Sequence, residues 1–172
     1  ELASPGYSGS CWGYNFDWQI RNKYFFPKFT PTVVATSFAV DALSKAYVIT
    51  RDEKYLKCFL SSADFILKDL NRTEIKDGYW FSYSPIEGND TVYNASLLGS
   101  KALMVCYNYE KNTDYIAAAE ASIKGCCKAQ NPDGSWYYGA TDYQKWIDSF
   151  HTGYNLAALK TFQDISGIKS YD

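Results

Sequence analysis

An internal repeat constrains this chain more than any other feature. Ala42-Leu43-x3-Tyr47-x7-Tyr55 returns as Ala102-Leu103-x3-Tyr107-x7-Tyr115, about sixty residues later. Asp77-Gly78-Tyr79-Trp80 returns as Asp133-Gly134-Ser135-Trp136, and Ala102-Leu103 returns as Ala158-Leu159, both at a slightly shorter interval. Three separate echoes agree on one period. Such a period holds one helical hairpin and its connection, so the expected fold is an array of hairpins that bury their faces against one another.

The residues inside each unit agree. Residues 32–49 carry Val33, Val34, Phe38, Ala39, Ala42, Leu43, Ala46 and Tyr47, apolar over most of a helix circumference, as an inner helix packed on both sides would be. Thr50-Arg51-Asp52 then supplies capping side chains for a second helix over residues 53–70. There Tyr55, Phe59, Ala63, Ile66 and Leu70 share one face and Lys57, Ser61, Asp64 and Lys68 the other, which is the pattern of an outer helix. The second unit repeats this over residues 91–109 and 114–129. A third inner helix is expected over residues 149–164, with Asp148 or Ser149 as N-cap and Gly167 beyond its end. The connections, residues 71–90 and 131–148, are long enough to be functional, with room for a short β-hairpin at residues 79–84 or 136–138. The whole of residues 1–172 reads as one all-α domain.

The inner-then-outer alternation, with the loop Gln130-Asn131-Pro132-Asp133-Gly134-Ser135-Trp136, resembles the α/α-toroid superfold. That group includes terpenoid cyclases, prenyltransferase β subunits, lanthionine cyclases and the six-hairpin glycosidases, epimerases and polysaccharide lyases. The loop is similar to the structural repeat signature of squalene-type cyclases. The segments Ser10-Cys11-Trp12-Gly13-Tyr14-Asn15-Phe16-Asp17-Trp18-Gln19 and Trp146-Ile147-Asp148-Ser149-Phe150-His151-Thr152-Gly153-Tyr154 resemble uncharacterised bacterial proteins found with polysaccharide-synthesis genes. Some of those are labelled delta-aminolevulinic acid dehydratase, an activity that would require a Schiff-base lysine on a (β/α)8 barrel. No βα alternation is visible here. Five helices amount to about half of a toroid, an incomplete ring with long aromatic-rich loops. Its open ends call for a second copy or an N-terminal half.

Composition narrows the function classes. Net charge is −2 with 21% charged residues, so no basic surface for nucleic acid is indicated. No apolar run of membrane-spanning length stands out, and five scattered cysteines fit a reducing cytoplasm. Aromatic content is 18%, with sixteen Tyr and five Trp, residues whose flat apolar face and polar edge suit cores and sugar-stacking surfaces equally.

In toroids the loops before the inner helices surround the central cavity. That rule gathers Trp12, Tyr14, Asp17 and Trp18, then Trp80, Tyr83 and Asn94, then Trp136, Asp148, His151 and Tyr154. His151, the single histidine, follows Asp148 by three residues and shares its helix face. The pair reads either as N-cap plus core histidine or as an acid–base pair, with Asp17 as a further carboxylate. Trp80 and Trp136, at equivalent repeat positions, read first as wedges between hairpins; Trp12, Tyr14 and Trp18 read equally as packing or ligand contacts. The Asp-x-Asp-Asp motif of squalene-type cyclases is absent, metal-ligand spacing is lacking, and no phosphate or dinucleotide loop occurs. The expected ligand is therefore an oligosaccharide or polysaccharide, handled without cofactor or metal by a hydrolase, a lyase, an epimerase or a non-catalytic binding module.

Overall fold

A computed structural model describes residues 3–20 and 23–171. Two short antiparallel strands, β1 (Trp18–Ile20) and β2 (Tyr24–Phe26), come first. Helices α1 (Val33–Thr50) and α2 (Glu53–Lys68) form the first hairpin, and a second β-hairpin follows as β3 (Arg72–Ile75) and β4 (Gly78–Phe81). Helices α3 (Tyr93–Tyr109) and α4 (Thr113–Cys127) form the second hairpin, and α5 (Ser149–Ser166) ends the array. Helices α1, α3 and α5 make the inner row of an incomplete α/α toroid. The outer row consists of α2 and α4.

Local chemistry sets the helix ends. Thr32, Asp52, Asn112 and Asp148 each cap a helix by accepting a first-turn backbone N–H on a side-chain oxygen. Val92 heads α3 without a side-chain cap; instead the Tyr93 N–H donates to the Tyr138 carbonyl at 3.1 Å. Arg51 and Gly167 close α1 and α5 in left-handed conformations.

Helix α3 is the axis of the packing. It is buried from Tyr93 through Ser100 and again at Ala102, Leu103, Met104 and Cys106. Small residues let its neighbours approach closely: Ser96 Oγ lies 2.7 Å from Ser122 Oγ on α4 and accepts the Phe81 N–H of β4 at 2.9 Å. Helix α2 turns Phe59, Ala63, Phe65 and Ile66 inward, each such side chain apart from the alanine contributing about 1.5–3 kcal/mol of burial. The β3–β4 hairpin lies against α4 through Gly78, where an added Cβ would stand 2.2 Å from the Ala121 carbonyl oxygen.

Three findings refine the sequence reading. The chain is mostly helical yet contains two β-hairpins; the first, around Trp18 and Phe26, has strands too short to show alternation. The second begins at Arg72, earlier than residues 79–84. Residues 136–138 form no strand; the Tyr138 carbonyl accepts the Tyr93 N–H at the start of α3, and the Tyr138 N–H donates to the Trp146 carbonyl at 2.9 Å. Helix α1, with mean hydropathy 1.3, is also long and apolar enough by composition to cross a membrane. Only 33% of it is buried, and among the described residues its packed neighbours are α2 and α3. Its Asp41 is ion-paired with Lys101 of α3.

Candidate functional site

The N-terminal ends of the three inner helices meet at a cleft of about 180 Å³. Its walls obey the repeat. Val34, Asn94 and Phe150 stand two residues after the N-caps of α1, α3 and α5, and Phe38, Leu98 and Tyr154 stand six after them. One helical turn separates the two tiers, so each inner helix presents two side chains to the same space. Tyr14, Tyr83, Tyr138 and His151 complete the lining.

The loops that bring in the tyrosines are tied to inner helices by backbone bonds. The Val33 N–H donates to the Tyr83 carbonyl at 2.9 Å, as the Tyr93 N–H does to that of Tyr138. Gly13 and Gly139 allow these approaches: a Cβ at Gly13 would lie 2.0 Å from the Thr30 carbonyl oxygen, and one at Gly139 2.4 Å from that of Thr91. Gln144 fastens the third loop, accepting the Thr91 hydroxyl proton on Oε1 at 2.9 Å. The rings then pack edge to face or stacked. Trp18 lies behind the wall, 4.6 Å from Phe26 and 5.7 Å from Tyr83, and Tyr138 stacks on Trp146 at 4.3 Å. Burial pushes the Tyr83 phenol well above its ordinary value, with the phenols of Tyr138 and Tyr14 adding to the effect.

Asp148 and His151 form one unit. Asp148 Oδ1 accepts the His151 backbone N–H at 2.7 Å, while Oδ2 faces His151 Nδ1 at 2.7 Å and accepts the Trp146 indole N–H at 3.2 Å. Partial burial alone would raise the Asp148 carboxyl, but the hydrogen bonds and charge of His151, with Trp146, hold it below its ordinary value. An ionised Asp148 favours the tautomer with its proton on Nδ1, which leaves Nε2 with a lone pair. The imidazole lines the cleft, packed against Tyr138 at 4.7 Å and Phe150 at 5.3 Å.

Asn94 supplies the second polar element. The residue is 5% exposed, and among the described residues Oδ1 has no hydrogen-bond partner. A buried, unpaired amide oxygen in a cleft wall is costly to folding unless a ligand hydroxyl or water meets it.

The structure thus brings Tyr14, Tyr83, Asn94, His151 and Tyr154 together, with Asp148 behind His151 and Trp18 behind Tyr83. Trp136 lies in the core, 2% exposed, with its indole N–H donating to the Cys126 carbonyl at 2.9 Å. Trp80 packs against Tyr93 at 5.2 Å and does not line the cleft. Asp17 is exposed and accepts the Lys28 N–H at 2.7 Å. Trp12 lies in an adjoining hollow of about 260 Å³ with Gly13, Tyr14, Asn15 and Phe29. Val34, Phe38, Leu98, Tyr138 and Phe150 belong to the cleft although the sequence reading did not single them out as site residues. Aligning the three N-caps, and matching Tyr138 to Tyr83 across the repeat, would have found most of them.

Other chemistry is sparse. All five cysteines are free, and burial pushes the thiols of Cys11 and Cys106 up to about 12 and that of Cys127 to about 11, far from a nucleophilic range. Among the described residues no group of three His, Cys, Asp or Glu side chains is placed to hold a metal ion.

No protein-family model matches the chain, and no curated protein sequence does. Among solved structures it is similar to a glycoside hydrolase family 76 (mannosidase) protein, Bt3792, from Bacteroides thetaiotaomicron VPI-5482, with a TM-score of 0.61 and 14% sequence identity. The match covers 99% of this chain and 45% of that one, so the chain spans less than half of that protein's length. At this identity the likeness concerns the fold, an α/α toroid. Nothing in it supports the dehydratase label carried by some proteins that the sequence resembles, since no (β/α)8 barrel is present.

Proposed function

We propose that this chain is a carbohydrate-handling protein of bacterial polysaccharide synthesis or modification, whose cleft seats a single sugar ring. The observation that carries this reading is the unpaired Asn94 Oδ1 in a wall otherwise made of tyrosines, apolar side chains and one imidazole. Phenols and aromatic faces match a pyranose, which is apolar on its faces and hydroxylated at its rim. The volume, about 180 Å³, is below the ~300–1,000 Å³ of clefts for drug-sized ligands and suits one ring. Among the described residues no lysine or arginine lines the cleft, and Asp148 already meets the α5 N-terminus, so an uncharged sugar fits best. The fold likeness to a protein titled a mannosidase points the same way.

In this reading His151 Nε2 takes a proton from a bound hydroxyl or carbon acid, or, once protonated, gives one to a glycosidic oxygen. Asp148 orients the ring through its contact at Nδ1. Such a proton transfer on one face is half of an epimerase step, whose other face needs a second proton donor, and a lyase step further needs a carboxyl on the sugar beside the carbon acid. Two-carboxylate hydrolysis needs a pair of acidic groups facing the sugar, which Asp17 and another part of a closed ring would have to supply.

A specific observation favours a second reading: among the described residues no carboxylate lines the cleft itself. On this reading the module binds glycan without turnover and pairs with another half-toroid. One experiment addresses both. Ligand-observed NMR with mannose through mannotetraose, and with acidic bacterial oligosaccharides for contrast, reads binding to the wild type, Asn94→Leu and His151→Ala. Binding that survives unchanged in both variants would take the sugar out of this cleft. Turnover lost in Asp148→Asn and His151→Ala supports the enzyme; binding without any turnover supports the module.

A further inference from the structure

We propose that the hollow formed by Trp12, Tyr14 and Phe29 is a second subsite, which holds the next ring of an oligosaccharide seated in the cleft. The inference rests on the cleft being a sugar site and extends it to substrates of two or more rings. The first argument is continuity. Tyr14 lines both the cleft of about 180 Å³ and the hollow of about 260 Å³, so the two lie on either side of one tyrosine, within reach of adjacent rings of one oligosaccharide.

The second argument concerns chemistry. Among the described residues the hollow is lined by Trp12, Gly13, Tyr14, Asn15 and Phe29: aromatic faces, one neutral amide and no charge. That is a surface for the apolar face of a neutral pyranose, and a charged residue would find no partner among these side chains.

The third argument is backbone strain. Phe29 adopts φ 65, a left-handed conformation unfavourable for a bulky residue, yet the residue is 49% exposed. Folding gains little from a half-exposed ring, and glycine would fill the same backbone conformation without strain. The turn is nevertheless held firmly: the Phe29 N–H donates to the Tyr14 carbonyl at 2.6 Å and the Thr30 N–H to that of Pro27 at 3.0 Å. The close passage at Gly13 locks this segment against the one carrying Trp12. An exposed aromatic ring fixed at a strained position beside a sugar-sized cleft is explained by stacking on the ligand.

The test titrates the full chain with mannose, mannobiose, mannotriose and mannotetraose and compares Phe29→Gly and Trp12→Ala with the wild type. Expected is a gain in wild-type affinity from one ring to two, and its loss, about three- to tenfold, in each variant, with mannose binding unchanged. Phe29→Gly should keep or raise the melting temperature, so a binding loss there is not misfolding. If the variants keep the full chain-length gain, or the wild type shows none, the second subsite is refuted while the cleft reading stands. If the wild type binds no member of the series, the cleft reading falls and the subsite with it.

Discussion

Asp148 grips His151 with both carboxylate oxygens, one on the backbone N–H and one at ring Nδ1, each at 2.7 Å. The same side chain therefore does two jobs, capping α5 and setting the imidazole, and substitutions separate them. Asparagine is as good an N-cap as aspartate, whereas alanine is not. Asp148→Asn should leave stability near that of the wild type, and Asp148→Ala should cost about 1 kcal/mol in urea unfolding. Both should reduce the population of the Nδ1–H tautomer of neutral His151, read from its ring ¹⁵N shifts. An unchanged tautomer would mean that other contacts orient the ring.

Acid should reveal the same contact. The Asp148 carboxyl ionises below its ordinary value in the folded protein, so its contribution to stability is complete above about pH 4 and fades as pH falls through the folded value. The effect is modest, because 34% of the side chain is exposed. Between about pH 5 and pH 2 the wild type should lose stability faster than Asp148→Asn, the two curves running parallel above that range. Urea midpoints at a series of pH values decide this. Parallel curves throughout would mean that the His151 contacts do not favour the ionised carboxyl.

Much of this architecture is legible in the residues because its causes are local. Thr32, Asp52 and Asp148 mark helix starts through their own side chains, and the alternation of all-round apolar and one-faced helices separates inner from outer. The start of α3 is blurred because its cap is a distant carbonyl, that of Tyr138. The β1–β2 hairpin is hidden for a related reason: its stability lies in the stacking of Trp18 on Phe26, which no three-residue strand announces. At the site, Tyr83, Asn94, His151 and Tyr154 follow from the rule that loops before inner helices face the cavity. Phe38 and Leu98 look like ordinary core positions until the N-caps are superposed. Trp136 shows the opposite difficulty, since an aromatic in a signature loop has the same letter whether it faces ligand or core.

Trp136 accordingly separates packing from binding. It is the largest of the fully buried side chains, and its indole N–H is bonded to the Cys126 carbonyl. Trp136→Phe removes that donor, leaves the carbonyl with the Ala129 N–H at 3.0 Å, and opens a small void. A loss of about 2–3 kcal/mol in chemical denaturation is expected. Glycan affinity, measured well below the new midpoint, should stay within twofold of the wild type. A selective loss of affinity with intact stability would place Trp136 in the binding surface after all.

Gly139 tests how the cleft is held open. A methyl group there would meet the Thr91 carbonyl oxygen and the Gln144 side chain at once, at 2.4 and 2.3 Å. Gly139→Ala must push the loop off the start of α3 and carry Tyr138 with it. The expected cost is about 1–3 kcal/mol, with His151 ring resonances shifting because Tyr138 packs on that imidazole. Gly153→Ala, where nothing lies within 4 Å, is the control and should leave stability nearly unchanged or slightly raised.

Asn94 offers the sharpest contrast between folding and function. Its Oδ1 is buried without a partner, at a position whose repeat equivalents are the apolar Val34 and Phe150. Replacing an unpaired buried amide with an apolar side chain of similar size removes a desolvation penalty. Asn94→Leu should therefore be neutral or stabilising by about 1 kcal/mol in urea unfolding, although the position is in the wall of the cleft. If a sugar hydroxyl is the missing donor, the same substitution weakens manno-oligosaccharide binding by about tenfold or more, the worth of one buried hydrogen bond. A gain in stability joined to a loss of binding is the signature of a residue retained for its ligand. A loss of stability would show that Asn94 is already satisfied in the free protein, by an ordered water for instance, and the amide would then be part of the scaffold.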